Sequence, residues 1–275
     1  MAAVWRRPTF HLNGFIMRID QLLVQRGLAS TRSQAQRLIS AGVRWKTDGE
    51  WRRVAKNGDE VSADAQLELL DLAEARFVSR GGLKLDGALE HVGLSVDGLR
   101  CLDLGQSTGG FTDCLLQRGA AHVVGVDVGY GQLSASLRDD PRVTCIERVN
   151  ARNLSMDALQ TESDPPGDVA AFEDFDLIVG DLAFISQTLV LPAAVPLLKL
   201  GGHVLMLVKP QFELQPGQVG KGGIVTDRAM FELVERRVRD AHVGLDLWVE
   251  AYFVSSIQGG DGNREFFIHS IRSQE

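Results

Sequence analysis

Clusters that would hold a metal or a disulfide framework are missing from this sequence. Its 275 residues contain three cysteines, Cys101, Cys114 and Cys145, an odd number without metal-ligand spacing. Two lie in stretches that read as strands and one in a stretch that reads as a helix. Buried, reduced thiols are expected, and a disulfide scaffold is excluded. The six histidines form no paired motif, so no metal site is expected. No apolar run approaches the ~20 residues of a membrane helix, and no membrane association is expected. Residues 1–16 include Arg6 and Arg7 but no apolar core of signal-peptide length, so no secretory signal is expected. These absences point to a cytoplasmic globular protein, and 44% apolar with 24% charged residues agrees.

What the sequence does have is an uneven charge. The net value is −7, yet residues 1–64 hold 11 Lys/Arg against 6 Asp/Glu, and the remainder holds 18 against 30. A basic end on an acidic body is the asymmetry of a nucleic-acid-binding module joined to something else. A solvated face gives the same signal. Residues 1–16 show no periodicity and are expected to be a disordered or non-native extension, with Met17 as the start of the pattern. From Met17, Ile19, Leu22 and Leu23 line one face of a short helix that Gly27 ends. Ser30 or Thr31 caps a second helix carrying Ala35, Leu38 and Ile39, closed by Gly42. Val43 to Val61 reads as short strands with turns at Asp48-Gly49 and Asn57-Gly58. The division expected is a small domain over 17–72, a linker over 73–83 and a large domain over 84–275.

The large domain is organised around Cys101 to Thr112. An apolar strand, Leu99 to Leu104, breaks into Gly105, Ser107, Thr108, Gly109 and Gly110, and a helix follows from Phe111. A strand, glycine-rich turn and helix present backbone N–H groups to a ligand beyond the strand's carboxyl end. Three ligands compete. A dinucleotide fingerprint needs glycine where Ser107 stands. A phosphate loop has the spacing of Gly105 to Gly110 but needs lysine where Phe111 stands. Asp-x-Gly-x-x-x-Gly, from Asp103, matches S-adenosylmethionine-dependent methyltransferases, whose cofactor carries no phosphate. A turn with no ligand is the fourth possibility. The next strand, His122 to Val126, ends at Asp127, where an acid can bind ribose hydroxyls.

Lys84 opens a helix running to His91. A third strand, Val143 to Ile146, leads into Glu147, and Asp164 to Asp168 is a surface loop. A fourth strand, Phe175 to Val179, ends at Gly180-Asp181. A helix from Ser186 toward Leu200, interrupted by Pro192 and Pro196, stops at Gly201-Gly202. The fifth strand, His203 to Val208, ends at Lys209-Pro210. Gly217 to Gly223 is a loop, Asp227 to Val243 a helix, and Leu247 to Val254 and Glu265 to Ile271 two last strands. This alternation makes an α/β doubly wound, mostly parallel seven-stranded sheet with an antiparallel edge. Gly105, Asp127, Glu147, Asp181 and Lys209 all fall at the carboxyl ends of strands, where such sheets bind ligands.

Arg18-x-Asp20-x-Leu22-Leu23 and Thr31-Arg32-Ser33-Gln34-Ala35-x-Arg37-Leu38-Ile39-x-Ala41-Gly42-Val43 resemble the S4 RNA-binding domain. Family members usually continue with a Val-Asn-Gly turn; this chain has Arg44 to Gly49. The resemblance implies RNA contacts at Arg18, Arg26, Arg32 and Arg37. Arg32 and Arg37 lie about 140° apart around one helix, so they form no single stripe.

Ser79-Arg80-Gly81-Gly82-x-Lys84-Leu85, Ser107 to Asp113, Val126 to Leu133, Asp181-Leu182-x-Phe184-Ile185-Ser186, Val208 to Glu213 and Gly262-Asn263-x-Glu265-Phe266 resemble the TlyA (haemolysin A) family over nearly the whole chain. The resemblance implies an S4 domain joined to a Rossmann-like, FtsJ-type methyltransferase domain acting on a ribose 2′-hydroxyl of ribosomal RNA, free or in ribosomal subunits. It implies a catalytic tetrad of Lys84, Asp181, Lys209 and Glu265. It implies S-adenosylmethionine held by Asp103, Gly105, Ser107, Thr108, Gly109, Gly110, Phe111, Asp127, Glu147 and Asp181. Ala183 stands where serine is usual and Gln106 where a small residue is usual. The 2′-hydroxyl is a weak nucleophile that needs a base. Lys209 would serve, with Asp181 orienting it and Glu265 holding Lys84. A non-catalytic RNA-binding protein and a membrane-active haemolysin are the alternatives.

Overall fold

The computed structural model describes residues 15–29, 31–47, 49–70, 76–157, 159 and 174–274. Two compact units meet between Arg80 and Gly81, inside the expected 73–83 linker.

The first unit runs β1 (Ile16–Arg18), α1 (Ile19–Gln25), α2 (Arg32–Gly42), β2 (Val43–Thr47), β3 (Glu50–Arg53), β4 (Glu60–Ser62) and β5 (Leu67–Leu69). Helix α2 starts where the Thr31 hydroxyl accepts the Gln34 N–H at 3.2 Å. Ile19, Leu22 and Leu23 of α1 close on Ala35, Leu38 and Ile39 of α2 and on Val43, Val54 and Val61. Met17 does not open the helix, contrary to the sequence reading. It pairs with Val61 in an antiparallel β1–β4 ribbon, and Ile16 pairs with Ser62. The Phe15 carbonyl accepts the Ala63 N–H at 2.8 Å, so residues 15 and 16 belong to the unit. The rest of the expected extension, 1–14, lies outside the described residues, as does the expected 164–168 loop. The expected hairpin exists as β2–β3, but β5 completes its sheet in the order β3-β2-β5.

The second unit opens with α3 (Arg80–Val92), whose first turn takes in Gly81 and Gly82, read from sequence as a turn before Lys84. β6 (Arg100–Leu104), α4 (Gly110–Gln117), β7 (His122–Val126), α5 (Ala135–Arg138), β8 (Val143–Ile146), β9 (Phe175–Gly180), α6 (Leu191–Ala194), β10 (Leu198–Val208), α7 (Pro210–Glu213), α8 (Arg228–Val243), β11 (Leu247–Val254) and β12 (Phe266–Arg272) follow. The seven strands order as β11-β12-β10-β9-β6-β7-β8. β8, β7, β6, β9 and β10 run parallel, and β12 runs against both of its neighbours.

The two last strands therefore make the expected antiparallel edge, with β11 outermost and β12, the strand that runs against the rest, one place in. Burial explains the placement. Phe266, Phe267 and Ile268 of β12 are all buried, as an inner strand requires, whereas Trp248 and Val254 leave β11 exposed. The expected helix from Ser186 to Leu200 is corrected. Pro192 and Pro196 each begin a fresh short turn, and the chain enters β10 already at Leu198. The sheet and α8 enclose a core that includes Leu102, Val124, Ile178, Val204, Met206, Val234, Val238 and Ile268. Cys101 and Cys114 are buried thiols; Cys145 is only half-buried. Among the described residues, no helix is long and apolar enough to cross a membrane.

Candidate active site

Strand register builds the site. Leu104 of β6 is level with Gly180 of β9, and Gly180 with Met206 of β10. Val208 of β10 is level with Phe266 of β12. The next residues, Gly105, Asp181 and Lys209, leave the sheet side by side at its carboxyl edge, and Glu265 enters β12 there. The Asp181 N–H donates to the Leu104 carbonyl at 3.1 Å, extending the ladder into the loops.

Lys84 reaches this edge from α3. Its Nζ lies 2.6 Å from Glu265 Oε2, with the two side chains 9% and 3% exposed. The Lys209 ammonium pairs with Asp181 Oδ1, and these two are also largely sheltered. The two ion pairs share one electrostatic environment. Burial pushes the Glu265 carboxyl up; the nearby Lys84 opposes this, and Asp181 and Lys209 act on it with opposite signs.

A second set of acids lies around the glycine loop. Asp103 is fully buried at the end of β6, with Oδ2 accepting the Thr112 hydroxyl at 2.7 Å. Its Oδ1 has no hydrogen-bond partner among the described residues. Burial, with the charges of Asp181 and Asp127 adding, pushes its carboxyl up to about 7 against the hydrogen bonds from Thr112. Asp127 binds both loops: its carboxylate accepts the Ser107 N–H and the Gly129 N–H, each at 2.7 Å. Gly105 has φ +80°, and a Cβ there would lie 3.1 Å from the Asp181 carbonyl. Gly109, at φ +93°, precedes α4, and a Cβ there would strike Leu137 and Leu133. A side chain at Gly105 would press on the Asp181 backbone, and one at Gly109 would displace the leucines behind the loop; both backbones are in the region that favours glycine.

The chemistry of this donor set separates the ligands that compete for the glycine loop. The Asp127 and Asp181 carboxylates both lie close enough to Asp103 to raise its proton affinity, so three carboxyls gather around the loop. Such a cluster repels phosphate and suits a cation. The residues therefore fit a cofactor with a sulfonium and an amino group better than a dinucleotide or a nucleotide phosphate.

Residues 77–272 match the model of the FtsJ-like methyltransferases, and residues 17–42 match the S4 domain. The chain is 46% identical over 254 residues to a protein of Mycobacterium tuberculosis named 16S/23S rRNA (cytidine-2′-O)-methyltransferase TlyA, covering 91% of this chain and 88% of that one. The chain belongs to the TlyA family of FtsJ-like methyltransferases. It is also 35% identical over 260 residues to Hemolysin A of Brachyspira hyodysenteriae, covering 93% of this chain and all of the other. A solved structure described as a candidate hemolysin of Streptococcus thermophilus superposes with a TM-score of 0.70 at 38% identity, over 94% of this chain and 90% of that one.

Three further residues around the glycine loop are held by their neighbours. Phe111 is buried and stacked on Phe267, so only its backbone faces the loop. Glu147 is engaged by the Arg138 guanidinium at 2.9 Å and the Gly131 N–H at 2.8 Å. Gln106, the departure from the TlyA pattern, is buried and donates to the Thr112 hydroxyl at 2.9 Å.

Three of the four S4 arginines are exposed yet have their guanidinium groups engaged within the unit. Arg18 and Arg32 both bind the carboxylate of buried Asp20, and Arg26 donates to the carbonyls of Ala63 and Ala65. Arg37 is half-buried on α2.

Sequence reasoning passed over Phe184 and Glu213. Phe184 is 91% exposed at φ +63°, a conformation uncommon for a bulky residue, three positions after Asp181. Its ring lies 5.1 Å from that of Phe212, over which the Lys209 ammonium sits at 6.0 Å. The buried Glu213 carboxylate accepts the Ser186 hydroxyl and, at 3.0 Å, the Gln187 N–H. It ties the loop carrying Asp181 to the turn carrying Lys209. The signal was present, since Phe184 lies within the Asp181 to Ser186 motif and Glu213 ends the Val208 to Glu213 motif.

Proposed function

We propose that this chain transfers a methyl group from S-adenosylmethionine to a ribose 2′-hydroxyl of ribosomal RNA, with the S4 unit binding the RNA. The observation that carries the reading is the meeting of the Lys84–Glu265 and Lys209–Asp181 pairs beside an acid-lined glycine loop. Bound at that loop, S-adenosylmethionine supplies a methyl carbon on a cationic sulfur, which departs as a neutral thioether. Asp103, Asp127 and Asp181 offset the cofactor's positive charge. Gly105 and Gly109 admit it to the backbone.

In its neutral amine form, Lys209 takes the proton of the 2′-hydroxyl and becomes the ammonium that pairs with Asp181, as the hydroxyl oxygen bonds to the methyl carbon. Arginine could not do so, because a guanidinium stays protonated. Asp181 holds the Lys209 Nζ toward the hydroxyl. Glu265 fixes Lys84, whose charge stabilises the negative charge that develops on the attacking oxygen. Alignment of oxygen, carbon and sulfur supplies much of the rate. The Phe184–Phe212 pair offers the target nucleotide an aromatic face beside the base.

Incubating the protein with labelled S-adenosylmethionine and either naked rRNA or ribosomal subunits tests this. The expected result is label in RNA at discrete 2′-O-methyl positions. Cofactor binding without transfer to any of these RNAs would leave the non-catalytic reading in its place.

A further inference from the structure

The internal engagement of Arg18, Arg26 and Arg32 raises the question of which other groups of the first unit meet RNA. The β2–β3 ribbon supplies an answer outside the matched S4 residues 17–42. Register pairs Arg44 with Arg53 and Lys46 with Trp51, so these four side chains share one face. The opposite face carries Trp45, which packs on the unit's core. The first face is therefore the outward one. Arg44 is held by Glu68 and lies over the Trp51 ring at 5.3 Å. Trp51 stays 39% exposed on β3, the edge strand of its sheet. Lys46 and Arg53 are exposed, and neither is engaged by an acid among the described residues. A cleft of about 370 Å³ begins at Arg53 and continues along Ile39, Ser40, Val54, Ala55 and Asn57.

We infer that the outward face of the β2–β3 ribbon is a single-stranded RNA subsite: one unpaired base stacks on Trp51 while Lys46 and Arg53 take the flanking phosphates. The inference rests on the proposed RNA substrate and adds the form of RNA recognised. An exposed indole between cations is the arrangement that binds unstacked bases, because every base has a face to offer and the backbone supplies the charge. A duplex hides its base faces, so it has no use for the indole. An apolar protein partner would be opposed by the two unmatched cations.

The test is the affinity of the full chain for a labelled 12-nucleotide oligocytidylate and for a 12-base-pair RNA duplex. Trp51→Ala should weaken the single strand about tenfold and the duplex less than twofold. Trp51→Phe, which keeps a ring, should stay within about threefold of the parent protein. Replacing both Lys46 and Arg53 by alanine should lower the salt slope of single-strand binding by about 1.4, two phosphates' worth. Parent-like binding of the single strand by Trp51→Ala overturns the inference. So does an equal loss on both RNAs, or an unchanged salt slope in the double variant, which also decides the matter if Trp51→Ala folds poorly. Methyl transfer to rRNA is read separately. A protein that stacks the oligonucleotide but methylates nothing counts against the proposed function alone.

Discussion

In the first unit two arginines converge on one acid; in the second, two lysines each meet an acid of their own. Asp20 is completely buried while Arg18 and Arg32 stay 44% and 56% exposed, so the cations reach in from solvent to satisfy a sheltered carboxylate. Their planar forks fix direction and keep their charge at every relevant pH. At the sheet edge all four partners are sheltered, and the cations are lysines, single points of charge that can give up a proton. The first arrangement suits holding a fold together, and the second suits moving a proton.

The largest effect that would break this contrast comes from exchanging the two cation types. Lys209→Arg keeps the charge beside Asp181 and removes the base. Methyl transfer is expected to fall about 10²–10⁴-fold, with S-adenosylmethionine affinity within a few-fold of the parent. Lys209→Ala should fall as far. A Lys209→Arg protein with substantial activity would make the lysine an electrostatic contact, and the contrast with Asp20 would collapse.

Asp103 sharpens the comparison, because it is a buried acid with no cation. Its folded carboxyl, pushed up to about 7, binds a proton that the unfolded chain has already released above its ordinary value near 3.8. Stability is therefore lost as pH rises from about 4 to about 7, and the loss is constant above that. The full penalty is about 4 kcal/mol at most. Asp103→Asn has no such proton. The stability of the variant relative to the parent should climb between pH 5 and pH 7 in urea unfolding and then flatten. A pH-independent difference would mean that the carboxyl ionises freely in the folded protein.

Much of this site was legible because strand-end residues are set by register, and register follows apolar runs. Val204 to Val208 leads straight to Lys209, and Phe175 to Gly180 to Asp181. What a linear pattern does not carry is which partners within the fold a side chain also meets. Arg18, Arg26 and Arg32 read as RNA contacts, yet a buried carboxylate and two carbonyls, all close in space, take their donors. Met17 read as helix because Ile19, Leu22 and Leu23 follow it at helical spacing, but the need of β4 for a partner draws it into a strand. The Met17 reading is a case of a tertiary contact overriding a local pattern.

The smallest effect concerns Asp20 itself. The Arg18 hydrogen bonds, with help from Arg32 and against the cost of burial, hold its carboxyl down at about 2. A folded value below the unfolded one contributes stability that is fully present above about pH 4 and is lost as pH falls from 4 toward 2. Because both arginines are half-exposed and screened, the contribution is about 1–2 kcal/mol. Asp20→Asn should therefore lower the stability of the first unit at pH 7 and converge with the parent near pH 2, measured by thermal melts across that range. Arg32→Gln should cost less, since Arg18 alone still binds both carboxylate oxygens. RNA affinity then separates the two uses of an arginine. If Arg32 only holds Asp20, Arg32→Gln and Asp20→Asn should leave oligonucleotide binding equally intact. If Arg32→Gln weakens binding while Asp20→Asn strengthens it by freeing the guanidinium, the same arginine serves both the fold and the RNA.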